Sequence, residues 1–123
     1  MGTVIQNRKL DSWLGTTFVS SSAKTEQFRQ FAQAFRREMK QMLPKHLSIA
    51  AFSVGHFYVS GFIRNGNTGK LAYFSISDVR FWPGEWYTKV LVRTAKSTKD
   101  FTGGMNQYVP FYGLPVKLLD LTE

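Results

Sequence analysis

Two periodicities divide the chain. From Phe28 onward the apolar positions Phe28, Phe31, Ala32, Phe35, Met39, Met42 and Leu43 recur at intervals of three and four, the spacing that gathers side chains on one face of an α-helix. Ser22 to Thr25 supply hydroxyls able to cap free backbone N–H groups, and Pro44 cannot continue a helix. The pattern therefore predicts a helix over 22–43. From Ser48 the period becomes two: IAAFSV, HFYVSGFIR, LAYFSISDVRF and WYTKVLVRTAK are rich in β-branched and aromatic residues, as strands are. RNGNTGK carries an Asn-Gly hairpin signal between the second and third strands, and Pro83-Gly84 supplies the turn before the fourth. Beyond Gly103-Gly104, residues 105–115 read as a loop, and Val116 to Leu121 as a last edge strand or a short helix. The expected fold is α+β, one long amphipathic helix packed on a four- to five-stranded antiparallel meander. It forms a single domain over 1–123: an N-terminal segment to 21, the helix to 43, the meander over 48–96, then a C-terminal loop and short terminal element over 97–123.

Alternation sorts the strand residues onto two faces. Phe57, Val59, Gly61, Ile63, Ala72, Phe74, Ile76, Val90 and Val92 are expected to face the helix. The reverse face then carries His56, Tyr58, Ser60, Phe62 and Arg64, with Tyr73, Ser75 and Ser77, and with Tyr87, Lys89, Leu91 and Arg93. Rings stack on unpaired bases and cations neutralise phosphates, so this mixture suits RNA or single-stranded DNA. It equally suits a protein interface anchored by Tyr and Arg, or a face that residues 1–20 and 105–123 fold over and bury.

Charge changes the picture next. Lys and Arg number 16 against 8 Asp and Glu, a formal net charge of +8, a field that attracts polyanions. The excess is local as well: between Lys24 and Lys45 six basic residues stand against two acidic ones. Arg29, Arg36, Arg37 and Lys40 lie on the polar face of the helix as a second candidate patch, beside the sheet-face set Arg64, Lys89, Arg93, Lys96 and Lys99 with Tyr58 and Tyr73. The expected partner is nucleic acid, RNA or single-stranded DNA, or a nucleoprotein that contains it, and an exposed fourth strand could also pair with a second copy as a homodimer.

Several chemistries find little footing. The chain has no cysteine and two histidines, His46 and His56, without metal-ligand spacing. Gly103-Gly104 is followed by Met105-Asn106 where a phosphate-cradling loop requires Lys and Ser or Thr, leaving a glycine turn or a one-phosphate backbone nest at Thr102 to Gly104, with Lys96, Thr98 and Lys99 nearby in sequence. Asp78 or His56 could serve a nuclease, with or without metal, but the acidic residues are scattered, and Asp78 and Arg80 read more simply as structural groups at a strand end. No enzyme activity and no cofactor are expected. No window has the length of a membrane span and no apolar run of signal-peptide length opens the chain, so a cytoplasmic, membrane-free protein is expected.

The stretch Tyr73 to Tyr108, with SDVR, then Trp, then VLVRTAK and KDFTGGMN, resembles a segment of small uncharacterised accessory proteins carried by phages and conjugative elements of Gram-positive bacteria. The resemblance implies a mobile-element accessory role. Such proteins are often defence antagonists, among them anti-CRISPR proteins that seize an RNA-guided nuclease or its guide, so inhibition of host defence is the implied function. It implies no functional residue.

Overall fold

The first helix, α1, spans Ser22–Met42 in the computed structural model, which describes residues 22–55, 57–76, 85–101 and 104–123. Five strands follow: β1 Leu47–Val54, β2 Val59–Asn65, β3 Leu71–Ile76, β4 Val90–Ala95 and β5 Gln107–Val109. One helical turn, α2 Glu85–Thr88, precedes β4, and a 3₁₀ turn, Phe111–Gly113, leads from β5 into α3, Leu114–Thr122. The sheet is an antiparallel meander in the order β1-β2-β3-β4-β5.

Phe28, Phe31, Phe35 and Met39 are buried on one side of α1 and join Val59, Ile63, Ala72, Phe74, Ile76, Val90 and Val92 in a single cluster. The Phe35 ring lies 6.5 Å from Phe74 and 5.0 Å from Phe111, and Phe28 lies 5.3 Å from Phe57. Withdrawing each ring from water stabilises by about 1.5–3 kcal/mol, whereas Arg29, Arg36 and Lys40 on the opposite face are exposed, where a charge contact contributes about 1 kcal/mol at most. The apolar stripe, not the charged face, therefore holds α1 in place.

A single helix over the sheet was the sequence expectation, and the structure corrects it to two. Leu114 and Leu118 of α3 are buried in the same cluster, and Pro115 stands at the start of α3, where a missing N–H costs nothing. Residues 105–115 likewise are not all loop, since β5 pairs Val109 with Val90 and Tyr108 with Leu91. The fourth strand begins later than expected. Tyr87 sits on α2 and packs toward the core, 6.0 Å from Phe111, rather than on the reverse face. The turn assigned to Pro83-Gly84, the segment 1–21, and His56, Ser77, Asp78 and Arg80 lie outside the described residues.

β1 contains a bulge. Ile49 pairs with Ile63 but Ala51 pairs with Phe62, so Ala50 has no counterpart. The extra residue shifts the alternation by one, which lets both Ile49 and Phe52 pack against the core. At the far end of β1, the hairpin closes with Gly55 N–H donating to Tyr58 O at 3.0 Å, and Phe57 adopts φ 62°. That left-handed conformation costs about 1–2 kcal/mol, which burial of the Phe57 ring, 1% exposed, offsets.

The β2–β3 hairpin forms differently from the Asn-Gly turn expected. Asn65 ends β2, its Oδ1 accepts from Asn67 N–H at 2.8 Å and Thr68 N–H at 3.3 Å, and the positive φ falls on Gly69, not Gly66. Asn65 Nδ2 meanwhile donates to the carbonyl of Thr122 at 3.3 Å, and the Thr68 hydroxyl donates to the same oxygen. The hairpin thus satisfies a carbonyl group that the end of α3 leaves without an intrahelical partner. Because Asn65 is 2% exposed, Asn65→Ala should destabilise the protein by about 1–3 kcal/mol, read from urea unfolding. Equal stability of the variant would show that the hairpin and α3 are not coupled through this side chain.

Candidate nucleic-acid interface

The two patches expected from sequence are built very differently. On the reverse face of the sheet, Phe62, Tyr73 and Arg93 stand side by side across β2, β3 and β4. The Phe62 and Tyr73 rings lie 5.1 Å apart, and the Arg93 guanidinium lies 4.3 Å from the Tyr73 ring centroid. Arg93 is only 2% exposed. Its Nη1 donates to Thr94 O at 3.1 Å and its Nη2 to Asp100 O at 2.7 Å, with the Asp100 carboxylate 3.9 Å from Nη1. The phosphate contact expected of Arg93 is therefore corrected: a cation with this burial and these partners fastens the loop after β4 onto the sheet. Tyr73 is half-buried and has the Arg93 guanidinium over its ring.

That loop is the basic stretch running from Lys96. The Asp100 carboxylate accepts from the Lys96 backbone N–H at 2.9 Å and so braces the loop from within. Thr102 and Gly103 of the proposed nest lie outside the described residues. Gly104 has φ 79°, and a Cβ on it would stand 2.8 Å from Thr94 O. Its lack of a side chain lets the returning chain pass directly over β4.

On the other side of the molecule, Arg29, Arg36 and Lys40 succeed one another at intervals of seven and four and so share one face of α1; all three are exposed. No carboxylate among the described residues pairs with them. Arg37 is exposed too but points its Nε at Glu38, 3.4 Å away. The Arg36 guanidinium lies 5.1 Å from the Phe52 ring centroid, a cation–π contact that steadies the head group beside β1.

Arg36 and Lys40 open onto a cleft of about 470 Å³ between α1 and β1, which Lys45 and Ser48 also line, over a floor that includes Leu43, Leu47 and Ile49. Sequence reasoning missed Lys45 and Ser48. Neither belongs to an amphipathic stripe: the turn at Pro44, closed by Leu47 N–H on Pro44 O at 3.0 Å, brings them under the helix.

The remaining candidates scatter. Arg64 is exposed near the end of β2 and pairs across with Ser48. Lys96 and Lys99 are exposed on the loop after β4, whereas Lys89 precedes β4 at its other end. Tyr58 is 43% exposed but precedes β2, at the end opposite Arg64. The structure thus brings Arg36, Lys40 and Lys45 together at the cleft, sets Arg64 across from Ser48 on the neighbouring strand, and leaves Lys89 and Tyr58 apart. Among the described residues no three His, Asp or Glu side chains gather as a metal site, and no helix is long and apolar enough to cross a membrane.

No family model, no curated protein and no solved structure matches the chain.

Proposed function

We propose that this protein is a non-enzymatic binder of nucleic acid, RNA or single-stranded DNA, free or within a nucleoprotein, and that it grips backbone phosphates at the cleft between α1 and β1. The observation that carries this reading is the exposed row Arg29, Arg36 and Lys40, joined at the cleft by Lys45 with no described carboxylate paired to any of them. A structural ion-pair network would balance such charges; an anion site leaves them open. The net charge of +8 supplies long-range attraction. The resemblance of Tyr73 to Tyr108 to mobile-element accessory proteins extends the proposal to a biological role, inhibition of a host defence nucleoprotein such as an RNA-guided nuclease.

Fluorescence anisotropy with a labelled oligonucleotide, titrated across salt concentrations, tests the biochemical part. Affinity should fall steeply as salt rises, because each neutralised phosphate releases counterions. The double variant Arg36→Glu, Lys40→Glu should flatten the slope of log affinity against log salt by about 1.5 for two lost contacts. Absence of binding to any RNA or DNA at low salt would overturn the proposal.

A further inference from the structure

We infer that the reverse face of the sheet carries a separate contact for an unpaired base, centred on Phe101; the inference rests on the phosphate-binding reading above and narrows its ligand to single strands.

Phe101 is 60% exposed, yet it does not hang from a free loop. Its ring meets Phe62 at 5.5 Å and Tyr73 at 6.1 Å, edge-on to both, with interplanar angles of 70° and 86°. Phe62 beneath it is 2% exposed, and the preceding residue, Asp100, is held through its carbonyl by Arg93 and through its carboxylate by the Lys96 N–H. An exposed ring on a fixed base loses little conformational entropy when a ligand stacks on it.

The surroundings select the ligand. Lys96 and Lys99 precede Phe101 on the same loop and are exposed. Arg64, also exposed, lies two residues from Phe62 on β2 and so shares its face. A second copy of the chain would set these cations against one another, whereas a nucleic acid strand offers phosphates to them and a flat base to the ring.

A route connects this ring to the phosphate cleft. Ser48 lines the cleft and pairs directly with Arg64, so Arg64 is the next side chain across the sheet from the cleft mouth. From β1 to β3 is two strand spacings, roughly 10 Å. A strand leaving Lys40 and Lys45 can therefore turn over the open side of β1, meet Arg64 and deliver a base to Phe101. A duplex keeps its bases stacked inside and cannot do so.

Anisotropy with a fluorescent 12-mer, as single-stranded RNA, single-stranded DNA and duplex, tests the inference. Phe101→Ala should weaken single-strand binding about tenfold, the scale of one lost base stack. It should leave the salt slope unchanged, because no phosphate contact is removed, and leave duplex binding unchanged. Phe101→Leu, which still covers Phe62 and Tyr73 but has no flat face, should show the same loss, and Phe101→Trp should restore affinity. Single-strand binding that is insensitive to Phe101→Ala and Phe101→Leu overturns the stacking site, and if Arg36→Glu, Lys40→Glu still flattens the salt slope the phosphate reading stands without it. Equal affinity for duplex and single strand also overturns it. If no oligonucleotide binds the wild-type protein, both readings fall.

Discussion

Replacing Arg93 with methionine should lower stability by about 2–4 kcal/mol, a loss of roughly ten degrees in Tm. The side chain is 2% exposed and supplies two hydrogen bonds to backbone carbonyls, Thr94 O and Asp100 O, together with the contact to the Tyr73 ring. Methionine fills similar space but donates nothing, so carbonyl groups under the loop lose their partner. Arg93→Lys should fall between the two, because one ammonium cannot reproduce the fork that reaches both carbonyls. Thermal melting checks the series, and a methionine variant as stable as the wild type would show that the loop is held by other contacts. The result bears on function as well. Arg93→Glu, the obvious charge reversal from sequence, would disrupt the same loop, so any change in ligand binding it caused would report loss of structure and not loss of a phosphate contact.

The second large effect is expected at Gly61, which pairs with Phe52 on one side and Phe74 on the other. A Cβ there would stand 2.5 Å from the carbonyl oxygen of Ala51 and 2.7 Å from Cζ of Phe74. The carbonyl belongs to the neighbouring strand, and Phe74 is fully buried with Phe35 and Phe52 around it. Neither neighbour yields without disturbing the core. Gly61→Ala should therefore cost about 1–3 kcal/mol through overpacking, measured by urea unfolding. Gly66→Ala is the control: its nearest neighbour is His46 O at 3.4 Å, and its effect should be much smaller. If the two variants unfold alike, the Phe74 ring can move aside.

The expected inward set, from Val59 to Val92, reflects a rule that needs only local spacing: consecutive strand residues alternate, and the apolar side faces the core; Phe57 is buried as well, but from the left-handed turn ahead of β2. The same rule places Arg93 on the reverse face but says nothing of what covers it. Its burial depends on Asp100 and Gly104 returning across β4, a contact of tertiary origin. β5 escaped notice because three residues, Gln107 to Val109, are too few to show a period. In α3, VKLLDL fits either regular structure, and only packing on the sheet decides between them. The cleft was legible in part: Arg36 and Lys40 follow from the helical stripe, whereas Lys45 and Ser48 join them through the geometry of a turn.

Ala50, the unmatched residue of β1, also bears on self-association at high protein concentration. The sheet ends on one side at this interrupted strand and on the other at a strand of three residues, Gln107–Val109. A neighbouring copy trying to extend the sheet along β1 would find donors and acceptors out of step beyond Ile49, and along β5 it would find too short a template. Both borders thus resist strand-by-strand polymerisation of the chain.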